Sequence, residues 1–124
     1  MSGRDNVLVD TNIVIYGVGG NYKIRSLLEG KTLFISVITE MELLGNPFKT
    51  EREKYLIRDF ISNCFSLNID SEIKEKTIAI RKKLRIRLPD AIIAATSIVH
   101  KLPLITVDRD FGKLLIPNLQ IVSL

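Results

Sequence analysis

A chain of 124 residues that is 46% hydrophobic is long enough to bury a core unaided, and its single cysteine, Cys64, excludes an internal disulfide framework or a Cys-based zinc cage. The formal charge of +4 points mildly to polyanionic partners. No run reaches the ~18–20 apolar residues of a membrane span, and Met1 to Asp5 is too polar for a signal peptide, so the expectation is one compact cytoplasmic domain over residues 1–124.

Taken in chain order, the apolar run Asn6–Val9 reads as a first strand, closed by Asp10. A helix starts near Thr11, where Ile13, Val14 and Tyr16 fit either a core or a partner surface. Gly17-Val18-Gly19-Gly20 follows as a plain turn, because a phosphate-cradling loop would sit between strand and helix. Leu33–Ser36 is a second strand, and Ser36 caps a helix over Val37–Leu44 that Gly45 and Pro47 stop. Its apolar stripe is Val37, Met41 and Leu44. Glu51–Asn63 sets Leu56, Ile57, Phe60 and Ile61 on one side of a helix, and Phe65–Ile69 is a third strand. Asp70 caps Ser71–Leu84, where Ile73, Thr77, Ile80 and Leu84 recur at helical spacing. Pro89 suits the first turn of a helix over Asp90–His100. Leu104–Val107 and Leu119–Val122 complete five strands. The first, second and fourth are continuously apolar, as strands covered on both faces are. Strands separated by helices imply a largely parallel sheet between two helical layers.

Four acids interrupt this pattern. Asp10 ends Val7-Leu8-Val9, Asp90 opens Ala91-Ile92-Ile93-Ala94-Ala95, Asp108 follows Leu104–Val107, and Glu42 lies on the helix leaving the second strand. Asp10 can be a helix N-cap, Asp90 can complement a helix dipole and Asp108 can be a turn residue. Those roles explain each acid alone. They do not explain why all four reach one rim, the crevice beyond the carboxyl ends of parallel strands. Two carboxylates ~4 Å apart repel by roughly 4 kcal/mol at an effective dielectric near 20, and a cation among them resolves the conflict. Oxygen ligands without Cys or His favour Mg²⁺ or Mn²⁺. The only histidine, His100, lies about three turns along its helix from Asp90, too far to join. With no histidine placed to activate a serine or threonine, metal-assisted hydrolysis of a phosphodiester is the economical chemistry. Just ahead of Asp90, the run Arg81, Lys82, Lys83, Arg85 and Arg87 is either a solvated face or a phosphate-attracting one.

Four segments in register resemble the motifs of PIN domains: Val9-Asp10-Thr11-Asn12-Ile13, Ile35 to Gly45, Leu88-Pro89-Asp90-Ala91-Ile92-Ile93-Ala94-Ala95, and Thr106-Val107-Asp108-Arg109-Asp110-Phe111. The match runs from about Val7 to Leu124 and is nearest to the VapC-type toxins of toxin–antitoxin pairs. The resemblance implies a three-layer α/β/α sandwich with a central, mainly parallel five-stranded sheet. It implies a Mg²⁺- or Mn²⁺-dependent endoribonuclease, a homodimer held inactive by a cognate antitoxin. Carried over, Asp10, Glu42, Asp90 and Asp108 become the metal-binding, catalytic acids. Thr11 and Asn12 become supports for the first acid, and Thr106 a hydroxyl that positions the fourth acid or a water. Glu40 and Glu42 lie about 200° apart on a helix, so only one faces the site; the Glu-Leu-Leu-Gly context selects Glu42. Spacing from Thr106 favours Asp108 over Asp110, leaving Asp110 to cap the following turn or hold a second ion. Arg81, Lys82, Lys83, Arg85 and Arg87 become candidate RNA contacts. A haloacid-dehalogenase-like phosphatase is disfavoured because position 12 is Asn rather than a second aspartate. The alternative is a catalytically inactive PIN-like domain that binds RNA or a partner.

Overall fold

Strand β1 (Asn6–Val9) is buried on both faces: Leu8 enters one hydrophobic cluster, and Val7 and Val9 enter another. Such two-sided burial is what its unbroken apolar run requires, since alternate side chains of a strand leave opposite faces. The computed structural model describes residues 5–47 and 49–124. Met1 to Arg4, most of the N-terminal stretch read above as too polar for a signal peptide, lie outside these residues.

After β1 come α1 (Thr11–Val18), α2 (Tyr22–Leu28), β2 (Thr32–Ser36), α3 (Val37–Leu44), α4 (Glu51–Ser62) and β3 (Phe65–Leu67). Then follow α5 (Ser71–Lys83), α6 (Leu88–His100), β4 (Leu104–Thr106), a 3-10 helix (Arg109–Lys113) and β5 (Gln120–Ile121). The strands form one parallel sheet in the order β3-β2-β1-β4-β5. Central β1 pairs Leu8 with Phe34 of β2 and with Leu104 of β4. Helices α1 to α4 cover the face formed by Val7, Val9, Ile35 and Ile105, contributing Ile13, Val14, Ile24, Leu43 and Ile57. Helices α5 and α6 cover the other face through Ile73, Ile80 and the buried run Ala91 to Ala95, joined by Phe111 from the 3-10 helix. The expected sandwich is therefore present, and Ile13 and Val14 are core while Tyr16 is exposed. Among the described residues, no helix is long and apolar enough to cross a membrane.

The departures from the sequence reading have local causes. Helix α2 was not anticipated: Asn21 caps it by accepting from the Ile24 N–H at 3.1 Å, but only Ile24 and Leu28 are buried, too few to show a period. Gly17 and Val18 close α1 rather than form a turn, and only Gly19 and Gly20 make the bend, with Gly20 at φ +87°. Helix α6 starts at Leu88, two residues before Asp90, which places Pro89 and Asp90 in its first turn. The stripe expected on α3 is wrong. Met41 and Leu44 are 53% and 49% exposed, and the buried face is Thr39 and Leu43. A hydroxyl occupies the inner position because it has a polar partner there, which an apolar count cannot register.

Candidate metal centre

Asp10 leaves the carboxyl end of β1 and caps α1, its Oδ1 accepting from the Ile13 N–H at 3.0 Å. Its Oδ2 accepts from the hydroxyl of Thr106, on neighbouring β4. At 4% exposure the carboxylate is nearly out of water. Burial pushes its pKa up to about 6, the hydrogen bonds from Thr106 and Ile13 oppose that, and the charges of Asp90 and Asp108 add to it.

Thr106 joins two of the acids. While its hydroxyl donates to Asp10, its Oγ1 accepts from the Asp108 N–H at 3.0 Å. Asp108 in turn caps the 3-10 helix, Oδ1 accepting from the Asp110 N–H at 2.9 Å. The cap of that turn is therefore Asp108, not Asp110; Asp110 reaches Lys113 at 3.5 Å, and both are exposed.

Asp90, in the first turn of α6, is half-buried, and burial raises its pKa. Arg87 offsets the shift, whereas Asp108, Glu42 and Asp110 reinforce it. Glu42 is held from the other side, its Oε1 accepting from the Thr11 hydroxyl at 2.7 Å. Asp10, Glu42, Asp90 and Asp108 thus share one electrostatic neighbourhood at the carboxyl edge of the sheet. Asn12 is exposed in the first turn of α1, and His100 is exposed at the far end of α6.

A cleft of about 290 Å³ opens over Asp90, Asp108 and Asp110. Arg85 and Arg87 line it together with Lys113, and Leu84, Ile86, Phe111 and Leu114 supply its apolar lining. Arg81 and Lys82 line an adjoining depression beside Ile78 and Leu88, which shares Leu84, Arg85 and Ile86 with the cleft, and Lys83 ends α5. Two residues near the acids were missed from sequence. Lys113 was discoverable as one turn beyond Asp110, and Thr39 as three residues before Glu42 on the same helix flank.

Among the described residues, no three acids stand close enough together to form a ready-made metal cage. Mg²⁺ does not need one, because it keeps several waters and takes one or two carboxylates together with substrate phosphates. The donors gathered at the rim are hard carboxylate oxygens, with mutual repulsion that a divalent cation relieves. The residues fit such an ion.

The PIN domain family model matches residues 7–114. A chain from a toxin–antitoxin complex of Klebsiella pneumoniae is 34% identical, with a TM-score of 0.79 over 94% of this chain and 96% of that one. A chain from DNA-bound VapBC of Salmonella typhimurium is 26% identical, with a TM-score of 0.80 over 94% and 96%. A chain from VapBC2 of Rickettsia felis, bound to a DNA fragment from its promoter, shares the fold at 24% identity, with a TM-score of 0.77 over 94% and 97%. No curated protein sequence matches the chain.

Proposed function

The chain belongs to the PIN domain family and is homologous to VapC-type toxins of toxin–antitoxin pairs, and on that premise we propose that it is a Mg²⁺- or Mn²⁺-dependent endoribonuclease acting as such a toxin. The observation that carries this reading is the charge retained at Asp10. Asparagine or serine caps a helix as well as aspartate does, yet an aspartate stands there, nearly fully buried and beside further acids. A charge kept against burial and repulsion has a use beyond capping.

Asp10, Glu42, Asp90 and Asp108 would hold the cation, one or two of them directly and the others through its waters. When bound, it supplies Lewis acidity toward a phosphodiester oxygen and a water made more acidic. Thr106 fixes Asp10 relative to Asp108, and Thr11 fixes Glu42. Arg85 and Arg87 on one segment and Lys113 on another line the same cleft as Asp90, Asp108 and Asp110, which supports a role for these cations in holding RNA phosphates near the acids. A cytoplasmic homodimer neutralised by a cognate antitoxin completes the proposal, and the likeness to the Klebsiella toxin–antitoxin complex supports the antitoxin partner.

Incubation of the purified protein with RNA and Mg²⁺ or Mn²⁺ should give cleavage that a chelator stops and that falls at least 100-fold in Asp90→Asn. Equal cleavage by parent and variant would reject the assignment, and RNA binding without cleavage would favour a binding-only domain. Exchanging Arg85 and Arg87 for Gln should weaken RNA binding and lower the magnitude of the log K against log salt slope by about 1.4, or ~0.7 for each phosphate of single-stranded RNA that is no longer neutralised. An unchanged slope would leave these cations as a solvated face.

A further inference from the structure

Thr39 is fully buried in the first turn of α3, where the residue four before it, Ile35, still belongs to β2 and offers no helical carbonyl. Two other buried helical threonines, Thr77 and Thr96, donate back to the carbonyls of Ile73 and Ile92, each at 2.7 Å. That is the ordinary resting place for a hydroxyl within a helix. Thr39 instead faces across to α1, with its Oγ1 3.1 Å from the Oγ1 of Thr11. Thr11 also contacts Oε1 of Glu42, at the shorter distance of 2.7 Å. The Thr11 hydroxyl has a single proton. The shorter, charge-assisted bond to the carboxylate takes it, which leaves Thr39 as the donor to the Thr11 oxygen. The hydrogen bonds then run in one direction, from a buried threonine through Thr11 to the acid.

We propose that Thr39 is a positioning residue for Glu42, acting through Thr11 to orient the carboxylate toward a divalent cation; the inference rests on the metal-site reading above. Thr39 and Glu42 stand three residues apart on one flank of α3, and Thr11 spans the gap from α1. Each hydroxyl polarises the next, so the chain holds the carboxylate more firmly than Thr11 alone. Outer partners of this kind set ligand orientation, and their loss weakens metal binding by roughly 10- to 100-fold.

The test is a calorimetric titration of Mn²⁺ into the parent, Thr39→Val and Thr39→Ser, with melting in chelator measured alongside. Thr39→Val keeps the volume and removes the donor, and should lose about tenfold in Mn²⁺ affinity. Thr39→Ser keeps the hydroxyl and should bind close to the parent. Cleavage by Thr39→Val should recover as Mn²⁺ is raised, which a general packing defect would not produce. Thr39→Ala also removes the donor, without placing a β-branched apolar side chain there, and should show the same loss if Thr39→Val does not fold. Parental Mn²⁺ affinity in Thr39→Val or Thr39→Ala, or equal losses in Thr39→Ser and Thr39→Val, would overturn the role of Thr39 alone. A parent that takes up no Mn²⁺ would overturn the metal-site reading and this inference with it.

Discussion

Asp10→Asn is expected to make the metal-free protein more stable at neutral pH while removing the metal-dependent cleavage proposed above. In the fold, burial holds the Asp10 pKa at about 6, against 3.8 for the exposed side chain. A difference of about two pH units corresponds to roughly 3 kcal/mol disfavouring the charged form. Asparagine keeps the acceptor for the Ile13 N–H but leaves the Thr106 hydroxyl without its carboxylate, a loss of about 1 kcal/mol. The net gain is about 2 kcal/mol. Because the folded pKa lies above the unfolded one, the native state binds more protons between pH 3.8 and about 6, and native stability falls as pH rises through that window. The advantage of the variant should therefore be absent near pH 3.5, grow up to pH 6 and stay level above it. Melting curves in chelator across this range check the prediction. A variant no more stable than the parent at pH 7.5 would mean that the buried carboxylate is not a strained group.

The second large effect concerns Phe111. Its ring is 1% exposed and anchors the 3-10 helix that follows Asp108 and carries Asp110 and Lys113. Phe111→Ala removes a buried aromatic side chain and leaves a cavity in the core cluster that it shares with Leu8, Leu104 and Leu114, costing about 3–5 kcal/mol. The melting temperature should drop by about 10–20 °C. Cleavage should fall more than the folded fraction does, because Asp108 loses the turn that it caps. Leu115, 96% exposed nearby, provides the control: Leu115→Ala should change stability by less than about 0.5 kcal/mol. A Phe111→Ala change of under ~1 kcal/mol would show that the turn is held by its hydrogen bonds rather than by its anchor.

These residues also show what was legible without coordinates. Continuous apolar runs identified β1, β2 and β4 as two-sided strands, and the acids just past β1 and β4, Asp10 and Asp108, lie close enough to act on one another electrostatically. The separate role weighed for Asp10, a helix N-cap, is present as well, and Asp108, weighed as a turn residue, caps the 3-10 helix. Capping and membership of the rim are compatible, because a cap uses one carboxylate oxygen. What escaped was polar and tertiary. The inner face of α3 is defined by Thr39 and its contact across to Thr11, so an apolar wheel selected Met41 and Leu44 and pointed outward. Helix α2 shows two buried residues in seven, below what periodicity can reveal. Lys113 joins the cleft only because the 3-10 helix winds it back beside Asp110.

The claim on which the rest depends is that the rim acids act together on one divalent cation. Titration of Mn²⁺ into the parent and into Asp10→Asn at pH 7.5, with Glu40→Gln as a control on the other flank of α3, tests it most directly. The parent and Glu40→Gln should bind alike, and Asp10→Asn should bind at least tenfold more weakly. Equal uptake by Asp10→Asn and the parent, or no uptake by the parent, would contradict it.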